Sequence, residues 1–169
     1  MKKLIFGLVI LGLTIQTFGQ EIKTEELSEV VVTAANYKYL NKVGLENASI
    51  SVALLEHKVA SYDIKSADFY RAEHDSYVVS FYIPDGSILA AYDKDGTILR
   101  TVERFTDVTL PKEVYTSVAK QYPNWSFEKD LYMVNYYDKT GKITKKYKIT
   151  LVNGDKRIKV KCDDKGNIL

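Results

Sequence analysis

The sequence predicts an α+β fold: two tandem helix-plus-antiparallel-strand repeats forming one curved antiparallel sheet, with both helices on one face. Three observations carry that expectation. The stretch "AAYDKDGTIL" (90–99) returns as "VKCDDKGNIL" (160–169), so the same strand–turn–strand is written twice. Two segments set apolar residues at helical spacing, and each is followed by strand-like runs. Asp85-Gly86 and Asn153-Gly154 are dipeptides that tolerate the positive φ of tight hairpin turns.

Residues 1–19 read as a signal peptide. Lys2 and Lys3 precede an apolar run from Leu4 to Leu13, and Thr17 and Gly19 are small residues before a cut that leaves Gln20 first. The run is too short for a membrane span and is followed by the acidic "EIKTEELSE". With no cysteine near the cut, lipid attachment there is excluded. The mature chain is expected to be periplasmic or secreted, with no transmembrane segment after signal removal.

Losing Lys2 and Lys3 takes the 24 basic residues to 22, against 22 acidic ones. Such a balance provides no global field for nucleic acid, and no nucleic-acid partner is expected. The charge is uneven, however, because Lys139 to Lys165 holds ten Lys/Arg against three Asp.

Residues 20–48 form an N-terminal arm or strand, since "LSEVVVTAANYKYL" (27–40) is β-branched and aromatic. "LSEVVVTA" also resembles the segment that opens the plug of TonB-dependent outer-membrane receptors, though a chain this short has no room for a receptor barrel.

Repeat 1 spans residues 49–106. "SISVALLEHKVASY" places Val52, Leu55, Val59 and Tyr62 on one helical stripe. If Val79, Phe81 and Ile83 of the next strand face the helices, Tyr82 points to the open face beside Leu89.

Repeat 2 spans residues 107–169. "PKEVYTSVAKQYP" aligns Val114, Tyr115, Val118, Ala119 and Tyr122, with Pro111 in the first helical turn and Pro123 at the end. Its hairpin is longer, with "DKTGKITKK" as the insertion. With "DKTGK" as the loop, Leu131 and Met133 face the core, while Tyr132, Val134 and Tyr136 join Lys146 and Lys148 outside. A loop one residue shorter reverses that assignment.

A two-residue loop at Asn153-Gly154 pairs Ile149 with Ile158 and Tyr147 with Val160. On the other face it pairs Lys148 with Lys159 and Lys146 with Lys161. Like charges directly opposite are destabilising. Either a neighbouring strand supplies acids and aromatics, or the face is kept basic for a partner. Cys162 is the sole cysteine and alternates with Ile158 and Val160, so its thiol is expected inside, as a small hydrophobe.

The second half resembles the PepSY-like domain family with a beta-lactamase-inhibitor-like tandem fold. Leu110-Pro111, Tyr122-Pro123, Tyr147, Ile149 and Leu151 before Asn153-Gly154 carry the resemblance, with Val160, Asp163, Gly166, Ile168 and Leu169. It covers about sixty residues, and the first half follows it more loosely. The resemblance implies a secreted binding or inhibitory module of Bacteroidetes type, with no shared catalytic residue.

Enzymatic chemistry finds little support. His57 and His74, the only histidines, form no zinc-ligand spacing, and no glycine-rich phosphate loop exists. "DKDG" (93–96) lacks the later acids of a calcium loop, with Arg104 where Glu is needed. His74, Asp75 and Ser76 are adjacent in sequence, which does not make a triad. No catalytic residue, cofactor or metal is therefore expected.

Thirteen tyrosines exceed what a core of this size needs, and aromatics beside cations suit protein recognition. The expected binding face comprises Tyr82, Leu89, Tyr132, Tyr136, Lys146, Lys148 and Lys159. The expected function is a non-enzymatic protein-binding module, inhibitory or regulatory toward an envelope or extracellular protein. Two alternatives stand beside it: an accessory of outer-membrane transport docking through its "LSEVVVTA" arm, and an unrecognised enzyme.

Overall fold

The computed structural model describes residues 36–44 and 49–169. The expected signal peptide and the "LSEVVVTA" segment lie outside the described residues. Helices α1 (Tyr37–Val43) and α2 (Ile50–Ala60) precede strands β1 (Ser76–Ile83), β2 (Gly86–Asp93) and β3 (Ile98–Thr106). Helix α3 (Lys112–Gln121) then leads into β4 (Ser126–Tyr137), β5 (Lys142–Asn153) and β6 (Lys156–Asp163). All six strands form one antiparallel sheet in the order β1-β2-β3-β4-β5-β6. The fold is α+β, and a helix followed by three strands occurs twice in the element order.

Residues 37–40, expected in a strand or extended arm, are instead the start of α1. Tyr39, Leu40 and Val43 fall on one helical face and are buried, so packing outweighs the β preference of Tyr. Gly44, at φ 69°, closes the helix by donating its N–H to the Leu40 carbonyl. The Asn36 amide donates to the Ala60 and Gly96 carbonyls and accepts from the Ile98 N–H, fixing where α1 begins.

One sheet face is covered. Side chains from all three helices, among them Leu40, Val52, Leu55, Val59, Val114 and Val118, join Phe81, Ile88, Phe105, Val134, Ile149 and Val160 in a single buried cluster. Burying each such aliphatic or aromatic side chain contributes roughly 1.5–3 kcal/mol. Tyr115 departs from the expected helical stripe: it is exposed and stacks on Phe127, with ring centroids 4.8 Å apart.

The repeated turn is the same object at both places. Asp93 Oδ1 accepts from the Asp95 and Thr97 amides, and Asp163 Oδ1 accepts from the Lys165 and Asn167 amides. Gly96 and Gly166 follow at φ 88° and 83°. The residues after the turns then return to the strands, as Ile98 opposite Tyr92 and Ile168 opposite Cys162.

Hairpin registers differ from the sequence expectation at three hairpins. At the β1–β2 turn Ile83 pairs with Gly86, so Pro84 and Asp85 form the tip, and Gly86 is the first strand residue, without the positive φ expected of it. At the β5–β6 turn Asn153 pairs with Lys156, so Gly154 and Asp155 form the tip. Partners shift by two residues: Ile149 meets Val160, Tyr147 meets Cys162 and Lys148 meets Lys161. A shift of two preserves which face each side chain occupies. At the β4–β5 turn Tyr137 pairs with Lys142, leaving four residues, 138–141, in the loop. A change of one residue moves every β4 side chain to the other face.

Cys162 is fully buried, as the alternation predicts, and burial pushes its thiol pKa up to about 11. Native Cys162 should therefore label slowly with a thiol reagent and rapidly after denaturation. Cys162→Ser is expected to cost about 1–3 kcal/mol, because the core offers its hydroxyl poor pairing. Fast native labelling would contradict the inward placement.

Candidate functional site

Side chains that alternate along the strands with those of the buried cluster make up the other sheet face. Pairing places Val78, Ser80 and Tyr82 of β1 on it, next to Ser87, Leu89 and Ala91 of β2. It continues through Arg100, Val102 and Arg104 of β3 to Leu131, Met133 and Tyr137 of β4. Tyr82 is 73% exposed and Val78 58%. Such a run of apolar groups in water is unusual for a surface without a partner.

Two shallow hollows mark this face. One, of about 300 Å³, lies over Tyr82, Leu89, Val102 and Arg104. Another, of about 620 Å³, is formed by Val78, Leu99, Arg100, Tyr137 and Lys142.

Toward β5 and β6 the face becomes cationic. Leu131 pairs with Lys148 and Met133 with Lys146, so the apolar row runs directly into lysines. Lys148 faces Lys161, while Lys159 faces Thr150. Lys146 faces Asp163, but that carboxylate is engaged by its own turn amides and the Asn167 side chain. These donors hold Asp163 below the usual carboxylate range. Among the described residues, the ion pair on this part of the sheet is Arg157–Glu128 at 3.0 Å.

Of the residues expected at the site, Tyr82 and Leu89 lie on the open face at the β1–β2 end and Lys146, Lys148 and Lys159 on the same face at the β5–β6 end, with β3 and β4 between the two groups. Tyr132 and Tyr136 do not, and their expected placement is corrected. Both lie on the covered face, at 8% and 1% exposure. Tyr132 stacks between Phe105 and Tyr147, with centroids 6.4 and 4.7 Å away. Tyr136 packs edge-on against Tyr39, and its hydroxyl donates to Asp138. Burial raises the phenol pKa of Tyr132 and Tyr136 alike. Leu131 and Met133, expected inside, take their places on the open face.

The covered side holds a polar cluster that sequence reasoning missed. Glu103 of β3 and Glu56 of α2 are both buried, and Oε2 of each has no hydrogen-bond partner. Glu103 Oε1 accepts from the Tyr39 hydroxyl at 2.9 Å and the Thr101 hydroxyl at 2.6 Å. Lys145 lies close enough to favour charge on both acids, while its Nζ donates to the Val43 carbonyl. Desolvation nevertheless raises both carboxyl pKa values, so the pair retains a proton. Glu56 was detectable in principle, since it sits four residues after Val52 on the apolar stripe.

Between the helices opens a cleft of about 610 Å³, bordered by Tyr37 and Leu40 of α1, His57 of α2, Pro111, and Lys145 and Tyr147 of β5. Among the described residues, no group of three or more His, Cys, Asp or Glu is placed to hold a metal ion. No described helix is long and apolar enough to cross a membrane.

No family model and no curated protein matches this chain, so the PepSY-like resemblance of residues 107–169 has no matching family model. Among solved structures, a BLIP-like protein from Bacteroides fragilis NCTC 9343 is similar. The match is 16% identical, covers 80% of this chain and 81% of that one, and has a TM-score of 0.31.

Proposed function

We propose that this protein is a periplasmic or secreted, non-enzymatic binding module that engages a protein through its open sheet face. The scaffold for that face is a duplicated helix–three-strand unit, with the helices packed on the opposite side. One observation carries the reading: exposed apolar residues, Val78, Tyr82 and Leu89 on β1 and β2 and Tyr137 on β4, set among Ser80, Ser87 and Arg100 on a face no described element covers. An aromatic anchor flanked by cations is the composition expected of an interface centre. Inhibition or regulation of an envelope protein is the role that fits a module built around such a face.

Tyr82 is the anchor to test. Tyr82→Ala and Leu89→Ala should each leave the melting temperature unchanged. In binding to a partner captured from native envelopes, Tyr82→Ala should cost about 2 kcal/mol or more. Tyr132→Ala and Tyr136→Ala should instead lower stability, because both rings are core. Unchanged affinity in the Tyr82 and Leu89 variants, with loss on Tyr37→Ala in the helix-side cleft, would move the binding site to the other side of the sheet.

A further inference from the structure

We infer that the partner surface is acidic where it meets β5 and β6 and apolar where it meets β1 to β4. This rests on the open-face reading above and specifies the chemistry that face selects. Lys148 and Lys161 stand directly opposite one another, with Lys146 and Lys159 at neighbouring positions on the same face. Cross-strand side chains in such positions are about 5 Å apart at Cβ, and like charges there destabilise the sheet. Asp163, the nearest acid, is already held by its turn. Among the described residues, these four lysines make no ion pair. A local arrangement that weakens the fold without an internal compensation is the kind retained at a functional surface.

The remaining question is which anion. The mature chain has balanced charge, so it lacks the general basic field that draws a protein to a polyanion. The lysines also adjoin Leu131 and Met133; beyond Met133, past Arg104 and Ser87, lies Tyr82, with the Val102–Leu89 pair beside that row. A nucleic-acid backbone leaves that apolar half unmatched. A protein surface with carboxylates beside an apolar patch satisfies both halves at once.

The test uses a defined probe: a short peptide carrying adjoining stripes of Glu and Leu, and its counterpart with Gln for Glu. The Glu peptide should bind, with amide resonances of the open-face residues of β4–β6 shifting. The Gln peptide should bind at least about tenfold more weakly at low salt, with the difference shrinking as salt screens the charges. Lys148→Glu combined with Lys146→Glu should reduce Glu-peptide affinity by a similar factor. Lys58→Glu and Lys120→Glu, on the helices, should not.

Lys161→Glu gives an independent readout. It should raise the melting temperature by about 1–3 °C, by replacing a like-charge pair with an opposite one, while weakening the peptide. Equal binding of the Glu and Gln peptides, or no effect of the lysine reversals, overturns the inference. Equal or tighter binding of duplex DNA or phosphatidylglycerol vesicles through the same lysines also overturns it, and makes the face a general polyanion surface. Loss on Tyr82→Ala without loss on the lysine reversals keeps the open face as the site and removes only the acidic partner. Loss on the reversals alone leaves the charged half standing and removes the apolar anchor.

Discussion

Gly166→Ala is expected to destabilise the protein by about 2–5 kcal/mol, well beyond the cost of the same change at the matching turn. Two penalties combine at Gly166. Its φ of +83° is a conformation that side chains other than glycine adopt at a cost. A Cβ there also falls 2.7 Å from the Glu113 carbonyl oxygen and 2.9 Å from Ser117 Cβ. The first of those atoms is helical backbone, so α3 has to move. The turn is further tied to α3 by the Ser117 hydroxyl, which donates to the Gly166 carbonyl at 2.7 Å.

Gly96 has the same turn and φ +88°, but a Cβ there meets only the Ile64 side chain, at an ordinary 3.7 Å. Gly96→Ala should therefore carry only the conformational cost, about 1–2 kcal/mol. Urea unfolding of the two variants isolates the contact with α3. Equal losses would mean that α3 yields to the added methyl freely.

That pair of turns also shows how much of the fold was legible. The Asp-x-x-Gly strings fell at turns leaving β2 and β6, the helical stripes fell within α2 and α3, and the hairpin dipeptides fell at or beside the β1–β2 and β5–β6 tips. α1 was not legible because "NYKYL" has strand-forming residues, and its helicity depends on what Tyr39 and Leu40 bury against.

The open face was legible in halves. Tyr82 and Leu89 followed from alternation within a short hairpin, and the lysines of β5 kept their face because the register error there was two residues. Tyr132 and Tyr136 were lost to an error of one residue at Asp138–Gly141. The difference lies in what each aspartate does. Asp93 bonds its own turn amides, and Tyr92 pairs with Ile98 across a five-residue connection. Asp138 gives its carboxylate to Lys38 at 2.8 Å and the Tyr136 hydroxyl at 2.9 Å, and its turn closes one residue tighter. One of those partners, Lys38, is a hundred residues away in sequence, beyond the reach of local patterning.

Stability is expected to fall as pH rises through neutrality, because of Glu56 and Glu103. Both carboxyls have folded-state pKa values raised above the ordinary 4.5, chiefly by desolvation. In the unfolded chain they lose their protons near 4.5, whereas the folded pair still holds one. The folded state thus binds more protons, and stability declines with pH by up to about 1.4 kcal/mol per unit for one proton. Their contribution is complete below the ordinary carboxylate range and is lost as pH climbs toward the raised folded value. Asp130 adds a smaller decline of the same sign, with burial raising it to about 6. Above about pH 6, the slope that remains among these carboxyls belongs to the buried pair.

Asp138 and Asp163 act in the opposite direction, since their partners lower them and their support is lost in strong acid. The stability maximum should therefore lie on the acid side of neutrality. Between about pH 6 and pH 8 the wild type should lose roughly 1–3 kcal/mol, and unfolding at neutral pH should release about one proton from the pair. Glu56→Gln with Glu103→Gln should flatten the profile above about pH 6, because the amides keep the hydrogen-bonding shape without a titrating proton. Denaturant melts across that range, with calorimetry in buffers of different ionisation enthalpy, measure the slope and the proton count together. A flat wild-type profile, or an unchanged slope in the double variant, would show that the two acids are accommodated charged, with Lys145 balancing them.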